Sequence, residues 1–304
     1  MSDFAIRGIC AATHTPFASD GSLHLGAVEQ QRDHLLARGV DQVFIGGSTG
    51  ESHSATTQER MHLAERWMQS ARGTKLRVIV HCGSNCLTDA ASLAAHAQQH
   101  GAVAVSMLAP SYFKPRSLAD LVSCCELVAR SAPALPFYYY DIPALTGVHF
   151  SMAEFLDLAR TRIPNLRGIK FTNQDLMAYQ LTLRAGGGGF DLPWGCDEFF
   201  LAAMALGAKG AVGSTFNFAP GIYQRMQRAW AVGDIATAQA EQYRSVQLVQ
   251  VLAKRGYMGC AKALMVHLGV PVGPARLPNA NPDAAAVRHM LEELQQIGFF
   301  DWKD

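Results

Sequence analysis

Short runs rich in valine, isoleucine and aromatic residues alternate along the chain with longer alanine-rich stretches whose apolar positions recur at helical spacing. That alternation predicts parallel strands each followed by a helix, because a parallel neighbour is reached only through a crossover. Eight runs read as strands: GICAATHT (8–15), QVFIGG (42–47), LRVIVHCG (76–83), AVAVSMLAP (102–110), LPFYYYDIP (135–143), LRGIKFT (166–172), DLPWGCD (191–197) and GAVGSTFN (210–217). Thr56 with Glu59, Ser117 with Asp120 and Ser151 with Glu154 have the spacing of capping boxes, and Gly39, Gly73, Gly101 and Gly207 stand where helices should stop. Three more helical stretches follow the eighth strand (220–232, 234–255 and 259–268), and a last one is expected to open at Asn281 with Pro282 in its first turn. The pattern predicts an α/β fold: a (β/α)8 TIM barrel over residues 1–220, with residues 221–304 supplying the final barrel helix and a C-terminal helical extension of the same structural unit. A doubly wound sheet is the alternative, and no early GxGxxG supports it.

Composition narrows the partners. The 304 residues are 49% hydrophobic and 17% charged, with a net charge of +1, so a large core is affordable and the surface carries no strong field. No basic run or aromatic-studded basic stripe is present, which removes the electrostatic footprint of a nucleic-acid or anionic-membrane binder. A small-molecule ligand is expected. No apolar run approaches the roughly 18 residues that span a bilayer, and MSDFAIRGIC lacks the pattern of a secretory leader, so the expected location is cytoplasmic. The low charged fraction, against the usual value of about 25%, hints at surface covered by other subunits. Seven cysteines without a CxxC pair favour reduced thiols, and HCGSNC (81–86) has no second cluster at zinc spacing, so no metal is expected.

A parallel barrel reacts at the C-terminal ends of its strands, where polar residues gather here: Ser48 and Thr49 in GGSTGES, Tyr112, Tyr138 to Tyr140, Lys170 with Thr172, Asp197 and Glu198 in GCDE, and Ser214. Each of most of these has a plain structural reading as well. GGSTGES fits an ordinary strand-to-helix turn, the tyrosines fit packing, Asp197 and Glu198 fit the cap of EFFLAAMALG, and Ser214 fits barrel filling. Lys170 is different. Strand alternation puts Gly168, Lys170 and Thr172 on the inner side, with Ile169 and Phe171 facing the helices. Burying an unpaired ammonium costs several kcal/mol, whereas desolvation favours the free amine, which attacks a carbonyl carbon to form a Schiff base.

The motifs AATHTPF, GGSTGES, YYYDIPALTGV, GIKFT and GAVGSTFN, in that order and at strand ends over nearly the whole chain, resemble the N-acetylneuraminate lyase and dihydrodipicolinate synthase superfamily of Schiff-base aldolases. The resemblance implies a barrel with a C-terminal helical extension, a homotetramer, and a pyruvate or sugar-ketoacid substrate. It implies that Lys170 is the Schiff-base lysine and Tyr140 the proton-transfer residue, that Ser48 and Thr49 hold the ketoacid carboxylate, and that Tyr112 reaches a neighbouring subunit's site. Leu145 stands where the synthases carry an arginine for a substrate carboxylate, which points toward the lyase branch. There Thr172, Gly195, Asp197, Glu198 and Ser214 would orient and read a polyhydroxyl tail. Asp141 and Cys196 depart from the asparagine and the larger residue common in relatives. No metal or organic cofactor is required, since the lysine amine is itself the electron sink. The alternatives are a related aldolase or dehydratase acting on a shorter 2-keto-3-deoxy sugar acid, a dihydrodipicolinate-synthase-like condensing enzyme, and a non-catalytic sugar-acid-binding protein.

Overall fold

The computed structural model describes residues 4–304. Seven parallel strands, β1 (Gly8–Ala12), β2 (Gln42–Ile45), β3 (Arg77–His81), β4 (Ala104–Leu108), β5 (Phe137–Asp141), β6 (Leu166–Phe171) and β7 (Gly210–Gly213), lie in the order β6-β5-β4-β3-β2-β1-β7. Residues 191–194 close the gap between β6 and β7. Phe171 N–H donates to the Pro193 carbonyl at 2.9 Å, Trp194 N–H to Gly210 at 2.9 Å, and Val212 N–H to Trp194 at 2.8 Å. The seventh predicted strand is therefore in place but forms only isolated bridges through Asp191 and Trp194. Pro193 has no N–H, so a continuous ladder cannot pass through it.

Alternation sorts the packing into two layers. Phe44, Ile79, Leu108, Tyr138, Tyr140 and Val212 fill the barrel interior, while Tyr139 faces outward onto Phe155, ring centroids 4.8 Å apart, within the larger core between strands and helices. Thr56 and Ser117 form reciprocal capping boxes with Glu59 and Asp120. Ser151 accepts from Glu154 N–H at 3.3 Å. Gly39, Gly73, Gly101 and Gly207 all adopt positive φ at helix ends. Among the described residues no helix is long and apolar enough to cross a membrane, and all seven cysteines are free thiols.

After the helix Pro220–Ala231, which follows β7, come helices Ile235–Ala253, Tyr257–His267 and Ala284–Gln296 and the short turn of helix Phe299–Trp302. The helix expected to open at Asn281 opens later, capped by Asp283, which accepts from Ala286 N–H at 2.7 Å. Asn281 instead clamps Ala275 in both directions at 2.8 Å, so its side chain closes a loop and is unavailable as a cap. The C-terminal helices are fastened to the turn after β2 by a wholly buried ion pair, Lys262 Nζ to Glu51 Oε1 at 2.9 Å. Glu51 Oε2 also accepts from Arg276 N–H at 2.8 Å and Asn279 Nδ2 at 3.2 Å.

Candidate active site

Parallel register places Tyr140 of β5 directly beside Lys170 of β6, one residue before the end of each strand. Lys170 is only 4% exposed, and its Nζ lies 3.7 Å from the Tyr140 ring centroid and 4.4 Å from that of Phe44. Among the described residues no carboxylate or carbonyl engages this amine; its polar neighbour is the cavity. A cavity of about 250 Å³ opens over it, lined by Thr49, Tyr140, Lys170, Thr172, Gly195 to Glu198, Ser214, Val249 and Tyr257, with Ala12 and Val212 as apolar floor.

The GGSTGES turn brings its hydroxyls to the same point: Ser48 Oγ is 3.3 Å from Tyr140 Oη, and Thr49 lines the cavity. Thr172 follows β6 and its Oγ1 is buried without a hydrogen-bond partner, so it is open to a ligand hydroxyl. Gly195 makes room for it, because a Cβ there would come within 1.8 Å of that oxygen. Gly213 does the same for Asp197, whose Oδ1 would meet a Cβ at 2.0 Å.

Asp197 is more committed than a free reader of hydroxyls. Its Oδ2 accepts from Thr215 N–H at 2.9 Å and Thr215 Oγ1 at 2.6 Å, and Thr215 Oγ1 continues to Tyr223 Oη at 2.6 Å. Burial pushes the carboxyl up to about 6, with the Thr215 hydrogen bonds pulling the other way. Neither Asp197 nor Glu198 caps a helix through its side chain, so that reading fails; both line the cavity. Asp141 lies outside it, buried, with a single distant contact from Asn173 Nδ2 at 3.5 Å, and burial pushes its carboxyl up to about 7.

Tyr112 stands apart from the rest. It is 78% exposed on the loop after β4, packed edge-on against Phe113, and does not line the cavity. Leu145 is likewise exposed. The residues that sequence reasoning missed come from the C-terminal helices: Val249 lines the cavity, and Tyr257 Oη sits 2.7 Å from Ser214 Oγ. Their local sequence is ordinary amphipathic helix, so only the long-range fold reveals them.

Residues 5–297 match the model of the dihydrodipicolinate synthetase family. The chain belongs to that family. Among curated members it is 39% identical to the N-acetylneuraminate lyase of Gallus gallus, the alignment covering 96% of each chain. Among solved structures the N-acetylneuraminate lyase of Proteus mirabilis superposes with a TM-score of 0.94 at 36% identity, covering 97% of this chain and 100% of that one. A dihydrodipicolinate synthase from Cyanidioschyzon merolae, solved with lysine bound, superposes with a TM-score of 0.89 at 29% identity, covering 96% of this chain and 98% of that one. This family's barrel is thus the fold of the chain, eighth stave included.

Proposed function

We propose that the chain is a class I aldolase, a carbon-carbon lyase that cleaves N-acetylneuraminate reversibly to N-acetylmannosamine and pyruvate. The observation that carries this is Lys170, a buried amine that no carboxylate among the described residues holds in an ion pair, facing a cavity lined by hydroxyls and by Asp197 and Glu198 beside Tyr140. The similarity to N-acetylneuraminate lyases over nearly the full chain supports the choice of substrate.

In this reading Lys170 Nζ attacks the C2 ketone of the open-chain sugar acid, and loss of water gives an iminium. Tyr140 Oη, having given its proton to the departing water, takes the proton of the C4 hydroxyl, the C3–C4 bond breaks toward the iminium, and N-acetylmannosamine leaves. Protonation of the resulting enamine at C3, then hydrolysis, frees pyruvate and restores the amine. Ser48 and Thr49 hold the ketoacid carboxylate, Thr172 orients the reacting hydroxyl, and Gly195, Asp197, Glu198 and Ser214 read the tail. Tyr112, exposed with Phe113 packed against it, belongs to the contact surface of a cytoplasmic homotetramer.

Borohydride reduction in the presence of pyruvate should fix one pyruvyl group at Lys170, and pyruvate release should be faster from N-acetylneuraminate than from shorter 2-keto-3-deoxy sugar acids. Absence of the adduct sinks the Schiff-base reading; faster turnover of the shorter acids moves the chain to the alternative substrate. Tyr140→Phe should still form the adduct while turnover drops by about 100-fold or more, the usual contribution of a positioned proton-transfer group. Undiminished turnover would remove Tyr140 from the mechanism.

A further inference from the structure

On the outer wall of the barrel the helix Thr57–Ala71 lies beside the helix Leu87–Gln99. Glu65 projects from the first; His96 and His100, one turn apart, project from the end of the second, with ring centroids 4.2 Å apart. His96 Nε2 is 3.0 Å and His100 Nε2 is 4.0 Å from Glu65 Oε1, and the three donor atoms all lie within 4.8 Å of one another. We propose that Glu65, His96 and His100 form a surface binding site for a late first-row divalent cation such as Zn²⁺, clipping these two helices together.

The donor set fits such an ion. Two neutral imidazoles and one carboxylate suit zinc, nickel or copper rather than magnesium or calcium, and histidines four apart on a helix present their rings to one face. Donors bound tetrahedrally to zinc at about 2.0–2.1 Å lie about 3.3–3.4 Å from one another, so small side-chain turns bring the observed separations to that value. The surroundings favour a cation. Both histidines sit at the C-terminal end of their helix, where the backbone dipole is negative. Among the described residues the ion-pair partners of Glu65 are His96 and His100, and the neighbouring Arg66 is drawn away to Glu29 at 2.7 Å. His62 is turned toward Gln58 at 2.8 Å, so the remaining coordination positions are left to water. Side-chain exposures of 34% for Glu65, 13% for His96 and 38% for His100 give an ion access.

The test is calorimetric titration of Zn²⁺ into the chelator-treated full chain, alongside Glu65→Gln and His100→Ala. One ion per chain is expected, with affinity falling at least about 10-fold in each variant, since even an outer partner of a metal ligand is worth that much. Zinc should raise the unfolding midpoint of the parent chain and leave that of His100→Ala nearly unmoved, because an ion stabilises only the state that binds it. Cobalt in place of zinc should give a visible absorption band that both variants weaken. Absence of binding at millimolar zinc, or binding that neither variant weakens, overturns the site.

Discussion

Two lysines are buried in this barrel, and they are buried differently. Lys262 is fully enclosed, with its Nζ on Glu51 at 2.9 Å and the Thr15 carbonyl at 2.9 Å. Lys170, almost as deep, rests on the faces of Tyr140 and Phe44 and has the cavity as its polar side. Burial pulls Lys262 down from its ordinary range while Glu51 pushes back. The first lysine is a fastening between the turn after β2 and the C-terminal helices. The second is held out to a ligand. Depth alone does not separate structure from chemistry; what separates them is whether the fold has already supplied the counter-charge.

The strongest way to break this comparison is to make the same change at both positions. Lys170→Met should lose the pyruvate adduct and lower turnover by at least about 10,000-fold, as loss of a nucleophile does. Its unfolding free energy should be unchanged or slightly higher, because no buried partner is orphaned. An adduct persisting at another lysine in this variant would end the assignment. Lys262→Met should do the reverse, costing about 3–5 kcal/mol in denaturant unfolding because the Glu51 carboxylate is left buried with only Arg276 N–H and Asn279. Adding Glu51→Gln should recover most of that loss. A single variant within about 1 kcal/mol of the parent would show that the pair fastens nothing.

The same contrast explains what could be read from the letters. Lys170 was legible because a charge between Ile169 and Phe171 in a short strand has no exposed side to occupy. Lys262 was not, since a lysine in GCAKALMVH resembles any solvent-facing helix position, and its partner is 211 residues away. The barrel was legible from the alternation of strand and helix, and the inward and outward tyrosines from period two. Pro193 breaking its strand into bridges is local chemistry that the strand pattern overrode. Tyr257, Val249 and the Asp197 to Thr215 contact depend on how distant elements meet, which periodicity does not report.

Asp141 offers a finer test of the same principle, applied to a carboxylate. Glu51 is met by a lysine, a backbone N–H and an amide, whereas Asp141, equally deep, has only Asn173 at 3.5 Å. Its carboxyl is accordingly raised from 3.8 to about 7 by burial. A raised folded value means that the folded state holds the proton more tightly than the unfolded chain does. The resulting stabilisation is complete below the unfolded value of 3.8 and is lost as pH climbs to about 7. Above that, the fold carries an uncompensated carboxylate. Asparagine, of nearly the same shape, does not titrate. Relative to the parent chain, Asp141→Asn should therefore gain about 2–3 kcal/mol of stability between pH 5 and pH 8, read from paired denaturant curves. Asp197 titrates in both proteins and cancels from the difference. A difference that stays constant over this range would mean that Asp141 is ionised throughout and better partnered than its one long contact suggests.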